Sequence, residues 1–249
     1  MAMNKQSNLY IFLYSSIMVI VVAALLSLAS TALRPFQQKN VETEKRLDIL
    51  KSVGAAKDVD DASNKHEYVG NEFNKLIVEQ IVVNRKGDRV EGVDPFTVNL
   101  KVEFAKPLDQ QNLPVFVAQL EDSTQKFILP LLGRGLWGPI WGYISLNDDY
   151  NTVYGASFAH KAETPGLGAE IANLSFQDQF KGKQIFSNGK FVSVSVVKGG
   201  ARSDDPHGVD AVSGGTITSQ GLEDMVKSCL EGYQEFFIKS KIQSNERED

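Results

Sequence analysis

The chain has 249 residues, 42% hydrophobic and 23% charged, with a formal net charge of −5. That is enough for one sizeable domain and an accessory segment, and it excludes a disordered or collagen-like chain and electrostatic binding to nucleic acid. A single cysteine excludes an intrachain disulfide or a cysteine metal cluster, and His66, His160 and His207 lack metal-ligand spacing, so no metal is expected.

From Gln6 to Leu33 no residue is charged. As a helix this run spans about 35–40 Å, more than the ~30 Å hydrocarbon core of a bilayer. Tyr10, Phe12, Tyr14 and Phe36 suit its two interfaces. A cleaved signal peptide has a shorter apolar region of roughly 7–15 residues. A retained single-pass transmembrane helix is therefore expected. Lys5 precedes the span, whereas Arg34, Lys39, Lys45 and Arg46 follow it. Counted alone, they would put the following domain in the cytoplasm, but the rule loses force for large translocated domains. Charge leaves the side open.

Next, "VETEKRLDILKSVG" puts Val41, Leu47, Leu50 and Val53 on one side and predicts a short amphipathic helix stopped by Gly54. The polar run from Ala55 to Asn71 reads as a linker or irregular segment. "FTVNLKVEFA" alternates and is expected as a strand, and "LPVFVAQLED" and "KFILPLLG" flank a turn. "GPIWGYISLNDDYNTVYGASFAH" predicts a hairpin turning at Asn147–Asp149, and "GKFVSVSVVKGG" another strand. Leu222, Met225, Val226, Cys229, Leu230, Tyr233, Phe236 and Phe237 predict a long amphipathic helix packed on the sheet, with Cys229 as a small buried hydrophobe. The polar tail is expected to fray. Strands dominate without regular βα alternation, so the class is α+β.

Three stretches carry candidate chemistry. In "DAVSGGTITSQG", Ser213, Thr216, Thr218 and Ser219 are all residues that cap a helix start. The same glycines and helix N-terminus also suit a phosphate, although the triphosphate-binding GxxxxGK[ST] pattern is missing. "HKAETPGLGAEI" is either a rigid proline-glycine turn or a loop that pairs polar groups with Leu167 against a flat ring. "GRGLWGPIWGY" offers Trp137 and Trp141 on a glycine-rich turn, where each is equally suited to the core.

In this order behind one N-terminal span, the three stretches closely resemble the C-subunit family of the sodium-translocating NADH:quinone oxidoreductase, over nearly the whole chain. The family's threonine motif usually reads Asp-x-x-Ser-Gly-Ala-Thr. Here Asp210, Ser213, Gly214 and Thr216 match, and Gly215 stands in place of alanine, a loss of one methyl. The resemblance implies an extracytoplasmic FMN-binding domain of mainly antiparallel sheet with packed helices. It implies FMN attached covalently through a phosphoester to Thr216, not Thr218. A separate flavin transferase would make the bond, so no catalytic base is needed in this chain. Glu163, Thr164, Gly166 and Leu167 would line the ring with Trp137 nearby, while Asp210, Ser213, Gly214 and Gly215 would shape the phosphate loop.

The implied protein is a single-pass component of the bacterial inner membrane whose main domain faces the periplasm. It carries electrons among other subunits of a membrane oxidoreductase complex and is not active alone. The expected division is residues 1–35 for a cytoplasmic tip and transmembrane helix and 36–70 for a connector. Residues 71–240 form the FMN-binding domain and 241–249 the tail. With no charge in the span, an ion pathway would lie in partner subunits. Two other readings stand. The homologous G-subunit of a ferredoxin:NAD oxidoreductase complex shares the anchor, the threonine motif and an ETPGLG-like loop, but "GLWGPIWGY" and the long N-terminal insertion favour the C-subunit. A membrane-anchored binding or assembly domain without flavin is opposed by the intact Thr216 and ETPGLG loop.

Overall fold

The computed structural model describes residues 7–248, so the expected tip with Lys5, and the final Asp249, lie outside the described residues. The chain divides into two compact units, residues 1–45 and 46–249. Helix α1 (Asn8–Ser52) contains an 18-residue window of mean hydropathy 2.5, none of it buried, and is long and apolar enough to cross a bilayer. Two helices were expected from the sequence, but α1 runs unbroken with Pro35 inside it. Proline removes one backbone donor, and no glycine follows before Gly54 to exploit the break. Instead Gln37 to Arg46 is rich in good helix formers.

In the second unit, Leu47, Ile49, Leu50 and Val53 are buried. Gly54 then stops the helix as expected. It takes a left-handed φ of +70°, and its N–H reaches the Lys51 carbonyl while that of Ala55 reaches Leu50. This pair of bonds satisfies the last helical carbonyls. The supposed linker contains a helix, α2 (Lys65–Leu76). Asn64 caps it, its side-chain oxygen accepting from the Glu67 N–H and its side-chain amide donating to the Glu67 carboxylate. Its buried Val69, Phe73 and Leu76 have helical spacing, diluted by polar neighbours.

Strand β1 (Ile77–Asn84) follows. "FTVNLKVEFA", expected as a strand, forms a single 3₁₀ turn at Pro95–Thr97 and the short helix α3 (Leu100–Glu103). Asp94 accepts from the Phe96 N–H and Asn99 from the Lys101 N–H, so local side-chain caps override the alternation. Glu103 is buried because its carboxylate accepts from Lys106 Nζ at 2.8 Å and from the Asn112 N–H at 2.9 Å.

Strands β2 (Asn112–Gln119), β3 (Gln125–Arg134), β4 (Pro139–Leu146) and β5 (Val153–His160) complete an antiparallel sheet in sequence order. The β4–β5 turn falls at Asn147–Tyr150, where the sequence put it. After the short helix α4 (Leu174–Gln177), the expected strand at Gly189–Gly200 is broken into pieces. β6 (Phe186–Ser187) and β7 (Lys190–Phe191) turn tightly at Asn188-Gly189, and Ser193 at φ +66° interrupts the run. β8 (Ser195–Val197) then pairs in parallel with β9 (Gly208–Asp210).

The predicted C-terminal helix is two, α5 (Thr216–Glu231) and α6 (Gln234–Glu248), parted at Gly232. All eight residues of its apolar stripe are buried. They cover one face of the sheet, against Leu113, Val115, Leu129 and Ile144 among others. Phe116, Ile128 and Tyr143 on the opposite face pack against Leu47, Leu50 and Phe73. A sheet buried on both sides explains why "LPVFVAQL" is nearly continuous in apolar residues. Cys229 lies in the core, where burial pushes its thiol up to about 11.

Both outer edges of the sheet are occupied over part of their length. Val82 and Asn84 of β1 bond back to Val90 and Asp88. On β5, Val153 pairs with Gly182 and Lys183, and Gln177 Nε2 donates to the Phe158 carbonyl.

Candidate functional site

Three loops meet at one end of the sheet. The β3–β4 hairpin closes with the Gly135 N–H on the Gly138 carbonyl at 2.8 Å. This leaves Leu136 and Trp137 at its tip, 47% and 66% exposed. β5 ends at His160, paired with Ile140 beside that hairpin, and the loop Lys161–Leu167 departs from there. α5 crosses close to β3 because Gly221 has no side chain: a Cβ there would lie 2.1 Å from the Arg134 carbonyl oxygen. The start of α5 is thereby brought against the other two loops.

Glu163 lies between all three. It is buried, and its N–H donates to His160 Nδ1 at 3.1 Å. Its Oε1 accepts from the Trp137 N–H at 2.9 Å and its Oε2 from the Thr218 hydroxyl at 2.6 Å. Two glycines make room for the carboxylate. A Cβ at Gly135 or Gly168 would come within 2.6 or 2.5 Å of its oxygens.

The ETPGLG loop is wound tightly around the Thr164 carbonyl, which accepts from the N–H groups of Leu167 and Ala169. Gly166 donates to Glu170, and Thr164 and Leu167 are left exposed, Leu167 by 41%. Leu167 and Gly214 are in contact range: a Cβ at Gly214 would lie 2.4 Å from Leu167 Cδ2.

None of the hydroxyls suited to capping caps α5. Its N-cap is Gly215, which has no side chain to do so. Ser213 and Thr216 are exposed, and Thr216 is the first residue of the helix. Thr218 and Ser219 are buried, with Thr218 committed to Glu163 and Ser219 Oγ accepting from the Val212 N–H at 3.0 Å. Asp210 is engaged further off, accepting from the Ala201 N–H at 2.7 Å.

The structure thus brings together Trp137, Glu163, Leu167, Gly214, Gly215 and Thr216. Asp210 instead ties β9 to a neighbouring turn, and Trp141 is half-buried on β4. The hub formed by Glu163, Thr218, Gly135 and Gly168 was not read from the sequence as a unit. Its one available signal is that Thr218 stands two positions from Thr216 and so faces the other side of the helix. Cavities of about 440 Å³, beside Tyr150 and Phe237, and about 530 Å³, beside Ala55 and Tyr68, share no lining residue with these loops.

An uncapped helix start presents free N–H groups and the positive end of its dipole, which suits a phosphate. Exposed Leu167 and Trp137 beside it offer apolar surface to a flat ring. These features fit a flavin mononucleotide, and residues 135–231, which contain all three loops, match the family described as FMN-binding domain. Residues 135–231 thus form an FMN-binding domain, and the three loops lie within it.

Wider similarity narrows the class. The C-subunit of the Na(+)-translocating NADH-quinone reductase of Vibrio vulnificus is 33% identical over 219 residues, covering 82% of this chain and 83% of its own. Its counterpart in Haemophilus ducreyi is 31% identical over 223 residues, 84% of each chain. Among solved structures, the C-subunit from Parabacteroides distasonis is 43% identical with a TM-score of 0.72, covering 82% of this chain and 96% of that one. NqrC of Shewanella oneidensis is 25% identical with a TM-score of 0.68, covering 81% and 98%. The chain belongs to the C-subunit family of the Na(+)-translocating NADH-quinone reductase.

Proposed function

We propose that this chain is the FMN-carrying electron-transfer subunit of a Na(+)-translocating NADH-quinone reductase and that its flavin is held by a phosphoester on Thr216. The observation that carries the site assignment is the exposure of Thr216 at the first position of an uncapped helix, while Thr218 is buried and its proton is committed. Bound FMN supplies the capacity to accept and release electrons, which the polypeptide itself lacks.

The chain's own residues bind, orient and shield. The first N–H groups of α5 and its dipole stabilise phosphate charge. Gly214 and Gly215 keep the approach to Thr216 free of side chains, and Ser219 fixes the loop before it through Val212. Leu167 and Trp137 would cover apolar ring surface against water, with Thr164 and Gly166 shaping the loop that carries Leu167. Ser213 lies on the exposed side of the same loop, and Asp210 anchors its entry. The Thr216 hydroxyl would be activated by a separate flavin transferase rather than by a base in this chain.

The apolar run of α1 anchors the protein in the bacterial inner membrane beside the other subunits of the complex, and the domain beyond it faces the periplasm. Protease added to cells with a permeabilised outer layer should then digest the domain. Protection until the inner membrane is broken would reverse the orientation. For the attachment, the test is mass spectrometry of protein coexpressed with the flavin transferase. An FMN adduct is expected on the peptide spanning residues 203–227 and lost in Thr216→Ala. An adduct that survives that substitution sinks the assignment.

A further inference from the structure

The first turn of α5 sends two hydroxyls in opposite directions, since residues two apart on a helix are separated by about 200° around its axis. Thr216 is exposed, and Thr218 is 1% exposed. The Thr218 hydroxyl donates to Glu163 Oε2 at 2.6 Å, and the other oxygen of the same carboxylate accepts from the Trp137 N–H at 2.9 Å. Glu163 is itself held to the end of β5 through His160. One side chain therefore joins the start of α5, the β3–β4 hairpin tip and the ETPGLG loop. The fit is close on every side: a Cβ at Gly168 would strike both Glu163 Oε2 and Thr218 Oγ1, and one at Gly135 would strike Oε1.

We propose that Thr218 is a positioning residue for the flavin, its hydroxyl clamping Glu163 so that outward-facing Thr216 is held in register with Trp137 and Leu167. The proposal rests on the reading of Thr216 as the attachment point. Its physical basis is the shared carboxylate. Valine has the shape of threonine but no donor, so Thr218→Val leaves a buried carboxylate oxygen without its partner, which is dearer than losing an exposed hydrogen bond. The carboxylate must then turn toward water or another donor, and the bond to the hairpin tip goes with it. Serine keeps the donor and should keep the clamp.

Thr218→Val, Thr218→Ala and Thr218→Ser, made in the full chain, test this at two levels. In a Thr216→Ala background, which carries no adduct, the Trp137 amide is followed by hydrogen exchange. Its exchange should quicken about tenfold or more in the valine and alanine variants, and stay near the parent in the serine variant. In the flavinylated chain, the valine and alanine variants should retain at least part of the Thr216 adduct by mass. They should also show altered visible circular dichroism of the flavin and a shifted midpoint potential, both restored by serine. A purely structural role would lower the melting temperature and leave these readouts alone. Trp137 exchange and flavin spectra that match the parent in both donor-free variants would overturn the proposal. A parent without any adduct would instead overturn the attachment reading, and the exchange comparison would still decide the clamp.

Discussion

At Gly214 the backbone has φ +71°, a conformation that strains an L side chain, and an added Cβ would lie 2.4 Å from Leu167 Cδ2. Gly214→Ala should therefore lower stability by about 1–3 kcal/mol and reduce flavin attachment, as read by urea unfolding and adduct mass. Gly215 differs: its φ is −103° and an added Cβ would sit 3.1–3.2 Å from Val212 and the Gly168 nitrogen. Gly215→Ala should be tolerated within about 1 kcal/mol, and equal losses at the two positions would refute the distinction. Cys229 gives a pH-dependent test. Burial raises its thiol from 9.0 to about 11, so the unfolded chain releases this proton first as pH rises. The contribution of the thiol is intact below pH 9 and lost between pH 9 and 11, by up to about 2–3 kcal/mol. Buried Tyr143 and Tyr233 are also raised and add the same sign in every variant. Cys229→Ala should thus show a shallower alkaline decline in chemical denaturation, and parallel curves would remove Cys229 as a cause. Thr216 was singled out by its place in the Asp-x-x-Ser-Gly-x-Thr motif that the chain shares with the family, and its role as the attachment point is the proposal made above. The inward commitment of Thr218 was not legible, because its acceptor lies 55 positions away in sequence.

Elements were legible where the period was long and uninterrupted. The β4–β5 hairpin and the apolar stripe of α5 and α6 fall where residue pattern puts them. Two failures have the same cause, a short polar side chain that outweighs periodicity. Asn64 and Glu67 start α2 within a run that reads as linker, and Asp94 and Asn99 wind an alternating segment into helical turns. In that second segment Glu103 is the residue that fixes the outcome, since it holds the first N–H of β2 and the Lys106 ammonium. Glu103→Ala leaves the Asn112 donor without its acceptor and should cost about 1–3 kcal/mol in denaturant unfolding. A change within a few tenths of a kcal/mol would mean that the turn is held by its caps alone.

For the molecule as a whole, the boundary at Lys45 and Arg46 makes a testable division. Leu47, Ile49, Leu50 and Val53 belong to the core of the second unit, although they lie on the same helix as the apolar run. A chain beginning near Val41 should be soluble without detergent and unfold cooperatively. One beginning at Ala56 loses four buried aliphatic side chains, each worth about 2–5 kcal/mol, against a total stability of about 5–15 kcal/mol for a typical domain. It should aggregate or show no thermal transition, and a shorter chain that melts like the longer one would move the boundary. The occupied stretches of the sheet edges bear on assembly. Val82, Asn84, Val153 and Phe158 already have backbone or amide partners on their outer sides. An incoming polypeptide is denied those positions for strand addition, the commonest backbone route to both partner recognition and fibre growth. A neighbour meeting the sheet at those four positions would have to recognise side-chain relief rather than main-chain rungs, a kind of contact that can be made and released without unzipping the domain.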